Sequence, residues 1–118
     1  MTSINYIVVK DINDFKFNFK KHLTKKDTIV WRNCDNLTII INSKINKMIF
    51  EKCSNIILVL TSAIIGAEFN YCKNITLKVK NHINCLETFK SHVILQHNKN
   101  NITTYITEQS KLMFNSIN

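Results

Sequence analysis

Short runs of alternating hydrophobic and polar residues occur along the chain, and one run recurs at a fixed spacing. Three segments share the template Cys-x-Asn followed by five strand-forming residues, and their cysteines stand nineteen residues apart, at Cys34, Cys53 and Cys72. A second run with the same step occupies residues 29–31, 48–50, 67–69 and 86–88. Alternation of this kind is typical of β-strands. The pattern therefore predicts repeated units of two or three short strands each.

The nineteen-residue period also limits the architecture. Helical hairpin repeats exceed thirty residues, and propeller blades are longer still. Short strands joined by tight corners form the coils of a parallel β-helix, in which equivalent residues stack about 4.8 Å apart. We therefore predict inward ladders of apolar side chains. Their members are Leu37, Ile56 and Ile75; Ile39, Leu58 and Leu77; and Ile41, Leu60 and Val79. Ile45, Ile64 and Ile83 recur at the same step, and as equivalent positions they are expected to stack.

Asparagine is expected at the corners, because the chain has one glycine and no proline. Asparagine tolerates a positive φ better than most residues. Asn36, Asn55 and Asn74 recur at one corner, where we expect their amides to stack as a ladder. Before the repeats, residues 15–19 alternate, with three phenylalanines on one side. This segment is expected to close the N-terminal end of the β-helix with its rings inward.

The composition adds a basic charge without pointing to nucleic acid or membrane. The net charge is +8, and Arg32 is the only arginine among the basic residues. Specific nucleic-acid readers depend on arginine and exposed aromatic rings, so we expect no nucleic-acid partner. The lysines are expected to form a solvated loop and surface, and an acidic protein partner is the alternative. No apolar run approaches the ~20 residues of a membrane span, so no membrane contact is expected. The first residues lack a secretory signal, which predicts a cytoplasmic, reducing environment with free thiols.

Residues able to bind metals or catalyse reactions do not form a recognisable site. His82, Cys85, His92 and His97 could offer zinc ligands, but their spacing matches no standard zinc module. The repeat cysteines could lie within disulfide distance in adjacent coils, yet buried thiols are the simpler interpretation. The sequence shows no nucleophile–histidine arrangement on a turn and no glycine-rich phosphate loop. We therefore expect a protein that is not an enzyme and holds no metal or cofactor.

Several segments resemble one protein family. Residues 43–53, with the element Lys-Ile-Asn before a cysteine, are similar to a segment of the C-terminal, actin-binding domain of cyclase-associated proteins. Residues 61–69 and 72–79 resemble the following turn of that domain, and residues 101–114 resemble its end. The resemblance implies a right-handed parallel β-helix. We expect residues 1–118 to form one such all-β domain, with about five to six coils of roughly nineteen residues.

The resemblance also implies a function. It implies a protein that binds monomeric actin, including ADP-actin, promotes its nucleotide exchange and filament turnover, and works as a homodimer. The same superfamily includes the tubulin-folding cofactor C domain, which stimulates a GTPase with an arginine from a Gln-x-Arg element. This chain has no such element, and Arg32 follows Trp31 instead. A cofactor C-like GTPase regulator and a structural or assembly β-helix protein without actin binding are the alternatives.

Outward residues of the first strand in each coil predict a partner-binding surface. Ile40, Ile57 and Val59 should form an exposed apolar patch with Lys78 at its edge. Such a patch usually marks a protein contact, and coverage by N-terminal strands or a terminal segment is the alternative. The second strand should carry a mixed polar face. Its members are Glu51, Glu68 and Glu87, in or near neighbouring coils, with Arg32 and Lys47 close by.

The C-terminal end of the β-helix is the second predicted contact surface. A terminal coil exposes strand edges and apolar bore residues. Tyr105, Leu112, Met113 and Phe114 supply apolar side chains near this end. We predict a homodimer through about residues 103–114. Either two last coils pair about a two-fold axis, or residues 112–114 cross between subunits.

Overall fold

The computed structural model describes residues 3–19, 23–96 and 101–115, and nearly all of them lie in β-strands. The strands are β1 Asn5–Lys10, β2 Asn13–Phe19, β3 Asp27–Arg32, β4 Asp35–Glu51, β5 Ser54–Asn70, β6 Lys73–Phe89, β7 His92–Gln96, β8 Ile102–Glu108 and β9 Lys111–Asn115. All paired strands run parallel within one sheet. Within the described ranges, no helix is long and apolar enough to cross a membrane.

The sheet winds into a parallel β-helix of about five turns, which confirms the predicted fold class. The long strands β4, β5 and β6 bend near their middle and contribute to two faces. We define the first face as β2, β7, β9 and the N-terminal halves of β4, β5 and β6. The second face consists of β1, β3, β8 and the C-terminal halves of the same long strands.

The bore between the two faces holds the predicted apolar ladders. Leu37, Ile56 and Ile75 stack in register, and the ladders that begin at Ile39 and Ile41 stack beside them. These side chains are almost fully excluded from solvent. Burying a side chain of this size contributes about 1.5–3 kcal/mol relative to leaving it exposed. The stacked coils are therefore stabilised chiefly by apolar contacts between adjacent rungs.

A column of aromatic rings runs inside the bore along the second face. Trp31, Phe50 and Phe69 share one ladder, with near-parallel rings whose centroids lie 5.8 and 4.9 Å apart. Phe17 of the first coil packs edge-on against Trp31 at 5.1 Å. Thr88 takes the next place in the ladder, where it is buried and its hydroxyl has no hydrogen-bond partner. The column therefore ends on a polar group.

The bend between the first and second faces differs from the prediction at one position. Ala63, and not Ile64, pairs with Ile45 and Ile83 and fills the bore. Ile64 and Ile65 are instead 43% and 44% exposed. The prediction was wrong because a β-bulge changes the register at the bend. In β5 the extra residue lies after the inward Ala63, whereas in β4 and β6 it lies before the inward Ile45 and Ile83.

The single glycine of the chain follows this bulge. Gly66 has a φ of 140°, a backbone conformation that residues with a side chain rarely adopt. A Cβ atom at this position would lie 1.8 Å from the carbonyl oxygen of Cys85 in the next coil. Both the dihedral angle and the close approach therefore require glycine here.

The tight corner lies opposite the bend and joins the second face of one coil to the first face of the next. It is lined by a row of thiols and hydroxyls. The row consists of Cys34, Cys53, Cys72, Ser91 and Ser110, and each side chain donates to the carbonyl two residues earlier, at 2.8 to 3.4 Å. The cysteines are free thiols. Burial raises the pKa of Cys34, and the hydrogen bond with Cys72 together with burial raises the pKa of Cys53. These two thiols therefore stay protonated donors at neutral pH.

The asparagines of the tight corner adopt the predicted positive φ. The values are 58°, 56° and 54° for Asn36, Asn55 and Asn74. Asn74 donates from Nδ2 to Oδ1 of Asn55 at 2.6 Å, but Asn55 donates to Asp35 and Asn36 donates to Asp14. The predicted amide ladder is thus limited to one pair, because carboxylates are stronger acceptors than amides.

The phenylalanine strand forms part of the first coil. Phe15, Phe17 and Phe19 stack on the inward ladders of the first face, at Leu37, Ile39 and Ile41. Their rings are therefore on the bore side, as predicted. Phe15 is nevertheless 54% exposed, because β2 is the last rung of the first face at this end within the described residues.

Candidate partner-binding surfaces

The predicted apolar patch lies on the first face, outside the bore. Ile40 pairs with Val59, and Val59 pairs with Lys78, so these three residues share one ladder. Ile57 lies in the adjacent outward ladder and is 48% exposed. The other three side chains are half-buried. The structure therefore brings all four predicted residues together on one rigid sheet.

Within the described residues, no strand covers this patch. β2 adds a further rung to the first face, with Lys16 beside Thr38 and Asn18 beside Ile40. At the other end, β9 adds a rung beside β7. Both terminal strands therefore extend the sheet and leave its outer surface open to a partner.

The patch continues further along the helix axis than the sequence indicated. Ile94 is half-buried and Met113 is 50% exposed, and both lie in the ladder of Ile57. A depression beside them is lined partly by cationic or titratable side chains, namely Lys73, His92 and Lys111. This extension was not predicted, because the Cys-x-Asn template ends with β6. The alternation within β7 was the available signal. We use the term first-face patch for Ile40, Ile57, Val59, Lys78, Ile94 and Met113.

The four predicted dimer residues lie in the last coil. Tyr105 on β8 and Leu112 and Phe114 on β9 continue inward ladders, whereas Met113 continues an outward ladder. The rings of Tyr105 and Phe114 meet edge to face at 5.9 Å. Tyr105 and Leu112 are half-buried, and Phe114 is 51% exposed. Among the described strands β9 pairs with β7 alone, so its apolar rung is the last one of the first face at this end.

Charged residues of the second face form one compact cluster around Lys47. Its Nζ lies 2.8 Å from Oε1 of Glu68 and 3.8 Å from Oε1 of Glu87. Burial acts to lower the pKa of Lys47, but the two glutamates outweigh it and the pKa is raised. Burial acts to raise the pKa of Glu68, but hydrogen bonds from Lys47 and Asn70 outweigh it and the pKa is lowered. Each partner therefore stabilises the charged form of the other.

Arg32 and Glu51 form a separate ion pair on the second face. Nε of Arg32 lies 2.6 Å from Oε1 of Glu51, and the two residues are direct neighbours in register. Glu51 shares its ladder with Asn70, while Glu68 and Glu87 share another. Because the carboxylate of Glu51 engages it, Arg32 does not project alone as an arginine finger would.

The candidate zinc ligands lie apart from one another. His82 is at the bend, with Nε2 at 2.6 Å from the hydroxyl of Thr103. Cys85 is on the second face beside Gly66, and His92 begins β7 on the first face. His97 lies outside the described residues. In the part of the chain that the structure describes, no three His, Cys, Asp or Glu side chains form a potential metal site.

The fold and these surfaces define a class of protein: a parallel β-helix that offers apolar surface on one face and at its ends. It is similar to a crystal structure of cyclase-associated protein from Cryptosporidium parvum, with a TM-score of 0.62 and 19% sequence identity. The similarity covers 96% of this chain and 65% of that chain, so this chain spans less than two thirds of the chain it matches. No curated protein sequence matches the chain significantly.

The family follows from the sequence itself. The family model described as Adenylate cyclase associated (CAP) C terminal matches residues 9–113. This match covers most of the chain, and the chain therefore belongs to that family. The resemblance noted in residues 43–53, 61–69, 72–79 and 101–114 is thereby confirmed.

Proposed function

We propose that the chain binds monomeric actin, ADP-actin in particular, and thereby regulates nucleotide exchange and filament turnover in the cytoplasm. The observation that carries this proposal is the family match over residues 9–113. Actin binding is what the resemblance to the C-terminal domain of cyclase-associated proteins implies. The proposed role is binding without catalysis, and it requires no metal or cofactor of the chain's own.

The first-face patch is the proposed actin-binding surface. Ile57 is its most exposed isoleucine, and the rigid sheet beneath holds it next to Val59 and Thr76. An apolar centre with a polar or charged rim is the usual anatomy of a protein interface. Lys78, together with the cations beside Ile94, supplies that rim. The partner surface should therefore combine apolar groups with carboxylates.

The test is a binding measurement with a matched pair of variants. Sedimentation velocity of fluorescent ADP-actin monomers with increasing amounts of the chain gives the affinity. Ile57→Lys should weaken binding at least tenfold, because a lysine at the centre of an apolar contact must be desolvated. Ile64→Lys is the control, since Ile64 is 43% exposed at the bend, away from the patch. Its affinity should stay within twofold of the wild type.

The outcomes separate the site from the function. Equal affinities for wild type, Ile57→Lys and Ile64→Lys would place the actin contact elsewhere on the chain. A wild-type chain that causes no shift at tens of micromolar would refute actin binding. That result would favour a structural or assembly β-helix protein instead.

We also propose that chains associate with one another through the C-terminal coil, as the homodimer of the family resemblance implies. Tyr105, Leu112, Met113 and Phe114 place apolar surface at this end, and β9 is the last rung of the first face within the described residues. Light scattering tests the proposal. Replacing Met113 and Phe114 by lysine should reduce the mass to that of one chain and leave the β-type circular dichroism unchanged.

A further inference from the structure

A groove at the tight corner, on the side of the second face, has no role in the actin contact or the C-terminal contact proposed above. Its volume is about 380 Å³, and its lining includes Arg32, Glu51, Lys52, Tyr71 and Phe89. These residues stand at or beside the strand ends of four successive coils. The first-face patch lies on the other face of the β-helix. We use the term corner groove for the surface formed by these five residues.

Tyr71 occupies a backbone position that disfavours its side chain. Each coil places one residue with positive φ at this corner, and the φ of Tyr71 is 56°. Asn33 holds the equivalent place in an earlier coil and accepts such a φ readily, whereas bulky side chains are rare there. Tyr71 is also 50% exposed, so burial of its ring offsets little of this cost. Because residues held in unfavourable conformations concentrate at functional sites, the ring points to a role at the surface.

Tyr71 and Phe89 form the apolar floor of the corner groove. Their rings meet edge to face, with centroids 5.4 Å apart. Phe89 is half-buried and points out of the bore, since it follows the inward Thr88. Glu51 and Asn70 stand in the same outward ladder as Phe89. The two rings therefore place an aromatic surface among polar side chains.

Positive charge is held beside this floor. Nζ of Lys90 lies 5.6 Å from the ring centroid of Tyr71 and 5.4 Å from that of Phe89, which is a cation–π geometry. Lys52 is exposed and holds the place of Tyr71 in the preceding coil. A ligand that covers the rings thus lies within reach of two ammonium groups.

Arg32 supplies a further cationic group at the other end of the groove. Its Nε lies 2.6 Å from Oε1 of Glu51, and among the described residues its two Nη groups form no hydrogen bond. Arginine binds carboxylates well through such groups, in pairs of parallel hydrogen bonds. Glu51 balances only one of the three cations of the groove. The groove therefore keeps a positive charge with donors left for an anionic ligand.

Two asparagines complete the lining of the corner groove. Asn33 donates from Nδ2 to Asp11 at 2.8 Å, and Asn70 donates from Nδ2 to Glu68 at 2.7 Å. These bonds orient the amides and leave their Oδ1 atoms as acceptors. The N–H groups of an extended peptide are donors that need such acceptors.

We propose that the corner groove binds a short acidic segment of a partner protein, with an aromatic side chain against the two rings and carboxylates on the three cations. The net charge of +8 favours encounter with an acidic partner. Aromatic pairs gain affinity beyond the area they bury. Arg32 and Phe89 are three rungs apart, about 14 Å, which an extended segment of four or five residues spans. The site is separate from the first-face patch, so the chain can hold two partners at once.

A titration with a synthetic peptide tests the proposal. The probe is the hexapeptide Glu-Glu-Ala-Phe-Glu-Glu with blocked ends, added to the isotope-labelled full chain and followed by amide chemical shifts. The largest shifts should occur at Lys52, Tyr71 and Phe89. The matched peptide with alanine in place of phenylalanine should bind about threefold to tenfold more weakly, the range of an aromatic pair. A peptide with lysines in place of the glutamates should cause no shift at these positions.

Tyr71→Asn is the variant that separates binding from folding. Asparagine suits the positive φ of this corner, so the melting temperature should stay within a few degrees of the wild type. Affinity for the hexapeptide should fall about threefold to tenfold. Arg32→Gln should weaken binding about threefold to fivefold, the range of exposed ion pairs. Tyr6→Asn is the control, because Tyr6 is an exposed tyrosine of the second face far from the groove, and its affinity should match the wild type.

The contrary outcomes are distinct. Unchanged affinity of a folded Tyr71→Asn would overturn the site, and equal binding of the phenylalanine and alanine peptides would overturn the aromatic contact. No shift at millimolar hexapeptide would overturn the proposed ligand class. Ile57→Lys should bind the hexapeptide normally, and Tyr71→Asn should bind ADP-actin normally. Loss of ADP-actin binding in Tyr71→Asn would assign the groove to the actin contact and overturn the inference of a separate partner.

Discussion

Replacing Gly66 with alanine should lower the free energy of unfolding by about 2–6 kcal/mol. Two costs contribute. The φ of 140° lies in a region that only glycine occupies readily, and forcing another residue into it costs about 1–3 kcal/mol. The added Cβ would also lie 1.8 Å from the carbonyl oxygen of Cys85, with the carbonyl carbon at 2.8 Å and the amide nitrogen at 3.0 Å.

All three of these atoms belong to the backbone of the adjacent rung, so no side-chain rotation can relieve the contact. Either the Gly66–Cys85 pairing opens or the bulge moves, and such overpacking costs about 1–3 kcal/mol. The free energy of unfolding of a small protein is only about 5–15 kcal/mol, so this loss is a large fraction of the stability of the chain. A chain of this length should lose roughly 15 °C in melting temperature.

Thermal and urea unfolding followed by circular dichroism measure this effect. Cys85→Ala is the matched control, because Cys85 holds the equivalent position in the next coil and already carries a Cβ. We expect Cys85→Ala to lower the free energy of unfolding by less than about 1 kcal/mol. If Gly66→Ala melted within 3 °C of the wild type, the bulge could not have the geometry described.

Three further outcomes concern the bore and the ion cluster. Thr88→Val should raise the free energy of unfolding by about 1–2 kcal/mol, because it removes a buried hydroxyl without a hydrogen-bond partner. Thr107→Val, on the exposed next rung, is the control and should change the free energy of unfolding by less than about 0.5 kcal/mol. Equal effects of the two substitutions in urea titrations would contradict this. Lys47→Met should lower the free energy of unfolding by about 2–3 kcal/mol, because Glu68 and Glu87 then face each other without a cation. An unchanged urea midpoint would show that the ion cluster contributes nothing to stability. The pKa of Glu68 is lowered in the folded chain, so its contribution is complete above the unfolded value of about 4.5 and is lost as the pH falls through the folded pKa. Melting temperatures between pH 3 and pH 6 should therefore fall more steeply for the wild type than for Lys47→Met, and parallel curves would argue against the linkage.

The repeat made most of the fold predictable. A constant step of nineteen residues brings chemically similar residues to the same place in successive coils, so the ladder of Leu37, Ile56 and Ile75 follows from the spacing alone. The positive φ at Asn55 was also predictable, because few residues other than glycine and asparagine accept it. Lys52 adopts a similar φ without any compositional signal. There the corner geometry and its backbone hydrogen bond to Asn70 override the residue's own preference.

The position of the bulge was not predictable from spacing. Leu60 and Ala67 are as far apart as their equivalents in the neighbouring coils, so the sequence step is the same wherever the extra residues lie. The lone Gly66 was the available signal, because a chain that otherwise builds its corners without glycine retains one only where a Cβ cannot fit.

The proposed binding surfaces were predictable in part. Alternation identifies Ile57 as outward once the strand is known, since successive side chains point to opposite sides. The extension to Ile94 and Met113 was missed because Ser91 replaces the repeat cysteine and no asparagine follows at the next corner. Backbone hydrogen bonding maintains the register there, although the side-chain signature of the template has disappeared.

Each coil of this β-helix contacts little besides the coils directly before and after it, so the chain is structurally close to one-dimensional. Each pairing between adjacent rungs closes a loop of about twenty residues, and among the described strands the pairing partners all lie in adjacent coils. Opening should therefore proceed from the terminal coils inward, and amide hydrogen exchange should slow progressively from β1 and β9 toward β5. Folding should begin among the central coils and spread outward, because the long strands β4, β5 and β6 pair with neighbours in both the first and the second face.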